Sequence, residues 1–419
     1  MEEYNPWWKG EPDPLYTEWL SYRVRWVPKI VDEIPVTPYA LHFLVGPRQV
    51  GKTTTLKILI HKLLKKRDPR SIFYYSCDEL SDHKELGSVL DDYLSARKAW
   101  GIKSSVIILD EITFVDEWYR ALKSRIDRGL FRSDVLIVTG SASLELIAGK
   151  ERFPGRRGLG ADIYMYPLSF SEYAEHFTSI PLQRAGLEDP ELFEKHMQAN
   201  TPFKETLEKL FAAYLHTGGY PVPIREYYET GKVTYASHKV YLDWLRTDWL
   251  KAGRSESLMK EVVSYLLEAA PTPLSWYTVA KNTSISSPHT AREYVETLEH
   301  LMIAKTIYWA DPQGKTNPRK NKKIHFTDPF TYRTLAFYTR VKPHEPAIVE
   351  ATVTTHLARR YPTYYWSNKT EIDALAIANQ KPIAIEIKWT RKPTPRRKPI
   401  KTHTLNKQSI PIFLATLNI

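Results

Sequence analysis

Residues Gly46-Pro47-Arg48-Gln49-Val50-Gly51-Lys52-Thr53 fit the pattern G-x-x-x-x-G-K-[ST] and are followed by Thr54. Glycines at these positions let backbone N–H groups turn inward around phosphate oxygens, and a following helix adds partial positive charge. Lys52 then reaches the β- and γ-phosphates of ATP, and the Thr53 hydroxyl ligates Mg²⁺. Residues 46–54 are therefore the expected nucleotide-binding set. A second acidic element lies 58 residues after Lys52, where the apolar run Val106-Ile107-Ile108-Leu109 ends in Asp110-Glu111. Asp110 is expected to hold the metal and Glu111 to polarise the attacking water. Ser141, after Val135–Thr139 and Gly140, either senses the γ-phosphate or caps the next helix. Arg156 and Arg157 are candidates for an arginine finger toward a neighbouring subunit's phosphate.

Near the end of the chain, Glu371-Ile372-Asp373-Ala374-Leu375-Ala376-Ile377 and Pro382-Ile383-Ala384-Ile385-Glu386-Ile387-Lys388 read as two strands around Asn379-Gln380. A two-residue turn pairs 378 with 381 and therefore 373 with 386. Asp373 and Glu386 would then stand opposite each other, with Lys388 on the face of Glu386. Opposed carboxylates call for a cation, and two of them suit Mg²⁺ or Mn²⁺. Lys388 could then steady a water or the charge developing on phosphate.

The elements that must hold these residues follow from pattern. Leu41–Val45, Ser71–Ser76, Val106–Leu109 and Val135–Thr139 are strand-like. They alternate with helical stretches after the phosphate loop, at 86–99 and at 116–128. That alternation predicts a parallel sheet covered on both faces, ending near residue 165. Residues 167–252 read as largely helical, broken at Gly218-Gly219-Tyr220-Pro221. Helices are expected at 257–268, 275–282 and from the Ser287-Pro288 cap to about Leu301. Ile303–Trp309 and Lys323–Phe326 would form a hairpin.

Composition narrows the field. The chain has 419 residues, and 42% of them are hydrophobic, enough for a real core. Cys77 alone excludes an intramolecular disulfide. No apolar run of ~18 residues is present, so no transmembrane helix is expected. The acidic, polar start is unlike a signal peptide, and a cytoplasmic location is expected. The 59 Lys and Arg outnumber the 48 Asp and Glu, for a net charge of +11. Thirteen of those basic residues fall in two acid-free stretches, five in 315–323 and eight in 388–407. Without them, 46 basic residues face 48 acidic ones. Localised excess of this kind suits a polyanion such as DNA, although solvated basic loops would give the same count.

Two resemblances follow from these residues. The phosphate loop, Leu109-Asp110-Glu111, Thr139-Gly140-Ser141, Gly155-Arg156, Pro167-Leu168-Ser169-Phe170 and Gly218-Gly219-Tyr220-Pro221 resemble, in that order, a group of prokaryotic, largely archaeal AAA+-type ATPases. Many of these carry a C-terminal module with a winged helix and a nuclease-like end. The resemblance implies ATP hydrolysis and self-association, with a ring if Arg156 acts in trans. Helix, turn, helix and basic hairpin over 257–327 are similar to a winged helix. Its wing, residues 315–323, would touch DNA phosphate, and His289 or Arg292 would approach a groove. Asp373 followed by Glu386-Ile387-Lys388 resembles the PD-(D/E)xK nuclease superfamily, with Ile372 where proline is usual. That resemblance implies a metal at Asp373 and Glu386 and makes Glu350 the further acidic residue.

The expected fold is thus α/β. A P-loop NTPase domain (1–165) precedes a helical lid (166–255), a winged helix (256–330) and a restriction-endonuclease-like domain (331–419). The expected function is an ATP-hydrolysing, DNA-acting enzyme with a metal-dependent nuclease-like domain, in DNA repair, recombination or branch processing. A DNA-binding motor without cleavage and a signalling-type switch ATPase are the alternatives. Residues 4–26, rich in Tyr and Trp, either form a partner surface or pack on the first domain.

Overall fold

The computed structural model describes residues 1–419 except 141–145, 147, 148, 150, 369 and 392–397. The chain divides into two compact units, Met1–Tyr166 and Pro167–Ile419.

The first unit runs α1 (Pro14–Ser21), α2 (Ile30–Glu33), β1 (Ala40–Val45), α3 (Lys52–Leu64), β2 (Ile72–Ser76), α4 (His83–Ala99), β3 (Val106–Asp110), α5 (Trp118–Asp127), β4 (Val135–Thr139) and β5 (Asp162–Tyr164). The strands form one sheet in the order β2-β3-β4-β1-β5, with every pairing parallel. β1, β3 and β4 are buried along their whole length, which is why they read as unbroken apolar runs rather than alternating ones. After β1 the chain crosses to β2 at the far edge. The carboxyl ends of β1, β4 and β3 are therefore left side by side, where ligands bind in open parallel sheets.

The amino ends of β3 and β4 are stapled instead. The Asp134 carboxylate accepts from the Ser105 N–H at 2.8 Å and from the Arg97 guanidinium at 2.6 Å. Burial raises the Asp134 pKa, and Arg97 opposes that rise.

The aromatic N-terminal segment packs on this unit. The Asn5 amide donates to the Tyr74 carbonyl at 2.9 Å and accepts from the Tyr74 N–H at 2.7 Å. The indole N–H groups of Trp7 and Trp8 both donate to the Ile72 carbonyl. Residues 5–8 thus occupy backbone groups of the edge strand β2 that would otherwise be open to another chain. Aromatic spacing gave no period because these side chains address a strand edge rather than a helix face.

In the second unit, the helices Glu256–Ala269, Trp276–Lys281 and Pro288–His300 precede an antiparallel pair, β6 (Ala304–Ile307) and β7 (Lys323–Phe326). A four-stranded sheet follows, in the order β11-β10-β9-β8. Its strands are β8 (Thr363–Ser367), β9 (Glu371–Ala378), β10 (Lys381–Ile387) and β11 (Thr402–Leu405). β9 and β10 pair from Ala378–Lys381 through Ala374–Ile385. The turn residues Asn379 and Gln380 have φ of 47° and 61°, the signature of a two-residue type I′ turn. The helix Glu345–Ala358 is buried almost throughout and packs on β7 and β9.

The sequence divides residues 166–419 into three domains, whereas residues 167–419 form one compact unit. The helix Lys204–Thr217 packs on both Pro329–Thr339 and Ser409–Thr416, joining the three stretches. Gly218-Gly219 ends the first of these helices against the buried Asp328 carboxylate. Asp328 accepts from Gly219 N–H at 2.8 Å while capping the helix Pro329–Thr339. A Cβ at Gly218 would lie 1.9 Å from Asp328 Oδ1.

Arg97→Leu should destabilise the first unit by about 3–5 kcal/mol, because it leaves Asp134 buried and unpaired. Denaturant unfolding of the single variant and of Arg97→Leu/Asp134→Asn tests this. The double variant should recover much of the loss.

Candidate functional site

The loop between β1 and α3 has the backbone its sequence requires. Gly51 has φ of 99°, a left-handed conformation that glycine adopts without strain. A Cβ on Gly46 would sit 2.4 Å from the Met165 carbonyl, so the loop passes against the end of β5 only with glycine there. Pro47, Arg48, Gln49 and Val50 form the turn, and Thr54 lies in the first turn of α3. The Lys52 ammonium donates to the carbonyls of Gly46 and Pro47, at 2.9 and 3.0 Å. It is folded over the loop it would leave to meet a phosphate.

Asp110 is 1% exposed at the end of β3. One of its oxygens, Oδ2, accepts from the Thr53 hydroxyl at 2.7 Å and from the Tyr74 hydroxyl at 2.9 Å. Burial raises the Asp110 pKa, opposed by the Thr53 hydrogen bond and assisted by the neighbouring Glu111 charge. Glu111 follows in the left-handed region at φ 54°, an arrangement that costs about 1–3 kcal/mol for a residue with a Cβ. This turn carries Glu111 off the strand line, and its Oε2 is buried without a hydrogen-bond partner. At the end of β4 the Thr139 hydroxyl is likewise buried and unpartnered. Gly140 is needed beside it, since a Cβ there would meet Thr113 at 2.5 Å.

These groups fit a magnesium nucleotide. Mg²⁺ uses one or two protein oxygens plus phosphates and water, and Thr53 and Asp110 already converge. Glu111 and Thr139 offer free polar atoms at the same strand ends. Ser141 lies outside the described residues. Arg156 is bound to Asp127 of its own chain at 2.6 Å, and Arg157 to Asp162 at 2.8 Å.

Tyr74, Lys57 and Asp13 did not stand out in the sequence. The Lys57 ammonium lies 3.4 Å from the centre of the Tyr74 ring and 2.9 Å from Asp13. Burial lowers its pKa, and Asp13 opposes that. A chain of contacts thus runs from the N-terminal segment through Lys57 and Tyr74 to Asp110. The sequence signal was a lysine within the apolar run Leu56–Ile60 of α3.

The second unit brings Glu350, Asp373, Glu386 and Lys388 together from three elements, the carboxylates all less than a tenth exposed. The Lys388 ammonium lies 3.2 Å from Glu386 and 3.7 Å from Asp373. Asp373 also accepts from Ile387 N–H at 2.7 Å, and Lys398 pairs with Glu386 at 3.0 Å. The expected metal ligands Glu350, Asp373 and Glu386 do not form a metal centre as arranged. Among the described residues no group of three or more His, Cys, Asp or Glu is disposed to hold an ion. Lys323 stands among them. Its ammonium lies 2.6 Å from Glu350, 2.6 Å from Glu371 and 3.7 Å from Asp373. Burial raises the Glu350 pKa to about 7, against the pull of Lys323. Burial acts to lower the Lys323 pKa, but the three carboxylates hold it above its ordinary value.

This corrects the expected wing. Lys322 and Lys323 are buried, Lys322 beside the Trp276 ring and Lys323 in the carboxylate cluster. Lys315, Arg319 and Lys320 are exposed. His289 and Arg292 are exposed too, but face Glu293 and Glu296 on their own helix.

Residues 39–174 match the family model described as the AAA domain, and residues 208–342 match a domain of unknown function (DUF8612). The first unit, with β1–β5 and both acids inside that match, is an AAA-type P-loop ATPase domain. The chain is 27% identical over 310 residues to an uncharacterized protein of Methanocaldococcus jannaschii, MJ1637. That alignment covers 68% of this chain and 60% of the relative, so the chain spans less than two thirds of the relative's length. Among solved structures it is similar to a Walker-type ATPase of Pyrococcus abyssi, with 14% identity, TM-score 0.43, and 71% and 91% of the two chains covered. It is also similar to the ORC2 protein of Aeropyrum pernix, with 10% identity, TM-score 0.39, and coverage of 78% and 92%. At such TM-scores these likenesses identify neither partner nor role. No helix among the described residues is long and apolar enough to cross a membrane.

Tyr74→Phe removes one of the two hydroxyls that, with the Glu111 N–H, orient Asp110. It should raise the Mg²⁺ concentration for half-maximal ATP turnover about 10-fold. Metal-free nucleotide affinity, read with a fluorescent analogue, should be unchanged.

Proposed function

We propose that this chain hydrolyses ATP at the Thr53–Asp110–Glu111 constellation and couples that turnover to action on DNA. The observation that carries the ATPase reading is the convergence of a phosphate loop, a buried carboxylate and a buried, unpartnered Glu111 oxygen on adjacent strand ends. Lys52 exchanges the Gly46 and Pro47 carbonyls for phosphate oxygens. Loop N–H groups and the N-terminus of α3 hold the remaining phosphate charge. Thr53 and Asp110 would hold Mg²⁺, which offsets negative charge on the phosphates when bound. Glu111 Oε2 accepts a hydrogen bond from the attacking water and orients it. Thr139 donates its hydroxyl toward the same space.

The DNA reading is supported by the second unit. Three helices and the β6–β7 hairpin follow the order of a winged helix. The connection between those strands presents Lys315, Arg319 and Lys320 to solvent, with Asp311 as its single acid. Arg156 enters this reading only as an ion pair with Asp127, and no ring is inferred from it. Metal-dependent cleavage by the second unit is favoured by the meeting of Asp373, Glu386 and Lys388. It is opposed by Lys323 in their midst, so the reading here is an ATP-driven DNA-binding protein in which that sheet binds rather than cuts.

Glu111→Gln should lower ATP turnover about 10²-fold or more while leaving nucleotide affinity intact. Equal losses in both would remove Glu111 from the water-orienting role. Replacing Lys315, Arg319 and Lys320 together with Ala should reduce the slope of log affinity for DNA against log salt by roughly 3. An unchanged slope would sink the hairpin contact.

A further inference from the structure

We propose that Lys323 is the resident cation of the buried carboxylate cluster, and that it keeps divalent metal out of a site otherwise built to hold one. The inference is independent of the nucleotide site.

Four carboxylates meet here: Glu350, Glu371, Asp373 and Glu386. Three ammonium groups face them: Lys323, Lys388 and Lys398. With every group charged, one formal negative charge is left over. Without Lys323 two would remain, the charge of one divalent ion. Lys388 and Lys398 bind the Glu386 end. Lys323 alone bridges Glu350 and Glu371, with Asp373 as its third neighbour.

A second observation points into the same space. His325, two residues along β7 and therefore on the same face, is 2% exposed. Its Nε2 has no hydrogen-bond partner and lies 4.0 Å from Glu350 Oε1. An imidazole beside carboxylates is a donor set for Mn²⁺ as well as a neighbour for an ammonium.

Lys323 is 1% exposed, and its backbone is held on both sides. It pairs with Ile307 of β6. The preceding residue, Lys322, exchanges two 2.7 Å backbone hydrogen bonds with Leu274. The lock therefore belongs to the same hairpin that presents Lys315, Arg319 and Lys320.

The test is Mn²⁺ binding to the full-length, nucleotide-free chain, read by electron paramagnetic resonance in an Asp110→Asn background that silences the first unit's acid. The background chain should show no binding that depends on Asp373. Adding Lys323→Met should tighten Mn²⁺ binding at least tenfold, and Asp373→Asn on top should abolish the gain. The melting temperature of the Lys323→Met chain should rise with Mn²⁺, and that of its parent should not. Tight Asp373-dependent binding with Lys323 in place would overturn the proposal. So would a folded Lys323→Met chain that gains none. Should that variant not fold, acetylation of the parent chain followed by mass spectrometry decides. Lys320 should react and Lys323 should not, with or without Mn²⁺. A Lys323 that becomes reactive when Mn²⁺ is added would show a displaceable lysine and refute the lock.

Discussion

A carboxylate buried at the end of a strand is the constraint around which the first unit is arranged. Ionised Asp110 is costly inside the fold unless donors meet it. Thr53 and Tyr74 meet one of its oxygens, and each then needs its own support. Thr53 is fixed by the loop, which depends on Gly46 and Gly51 for its path. Tyr74 is fixed by Asn5 on its backbone and by Lys57 on its ring, and Lys57 in turn needs Asp13. A demand that begins at one acid thus reaches the first residues of the chain. Glu111 meets the opposite demand. Its backbone is held in a left-handed conformation and one of its oxygens is left without a partner, strain of the kind that clusters at functional sites.

The second unit faces the same electrostatic problem and solves it differently. Its carboxylates are compensated by ammonium groups rather than by two hydroxyls and a backbone N–H. Breaking such a pair is strongly unfavourable, because the remaining charges stay buried. A site compensated in this way is closed to chemistry until an element moves. A site left with Glu111 and Thr139 unpartnered is open to it. That contrast separates the two acidic clusters more sharply than their sequence motifs do, since both motifs consist of acids at the ends of apolar strands.

Much of this was legible in the sequence where the signal is local. The β9–β10 register followed from a two-residue turn, and Asn379 and Gln380 both take the positive φ that such a turn needs. Glycine spacing and a buried strand placed the phosphate loop. What stayed hidden depends on partners far along the chain. Lys323 reads as part of a basic run on a wing because its neighbours in sequence are basic. Its neighbours in space, 27 to 50 residues away, are not. Tyr74 reads as one more β-forming residue, and nothing local shows that its hydroxyl points at Asp110. Residues 4–8 lack any period because they serve a strand edge.

The same distinction changes what the net charge means. The sequence places thirteen basic residues in two acid-free stretches, as though all thirteen were available to a polyanion. Lys322 and Lys323 are buried, Lys398 is paired with Glu386, and Lys388 is committed to Asp373 and Glu386. Long-range attraction depends on charge that reaches solvent, not on charge compensated within the fold. Lys315, Arg319 and Lys320 keep that character on one connection, and Arg391, Lys401 and Lys407 keep it in the second stretch. The lysine that anchors that hairpin from below takes no part in the attraction, yet it ties the position of the hairpin to the state of the carboxylates.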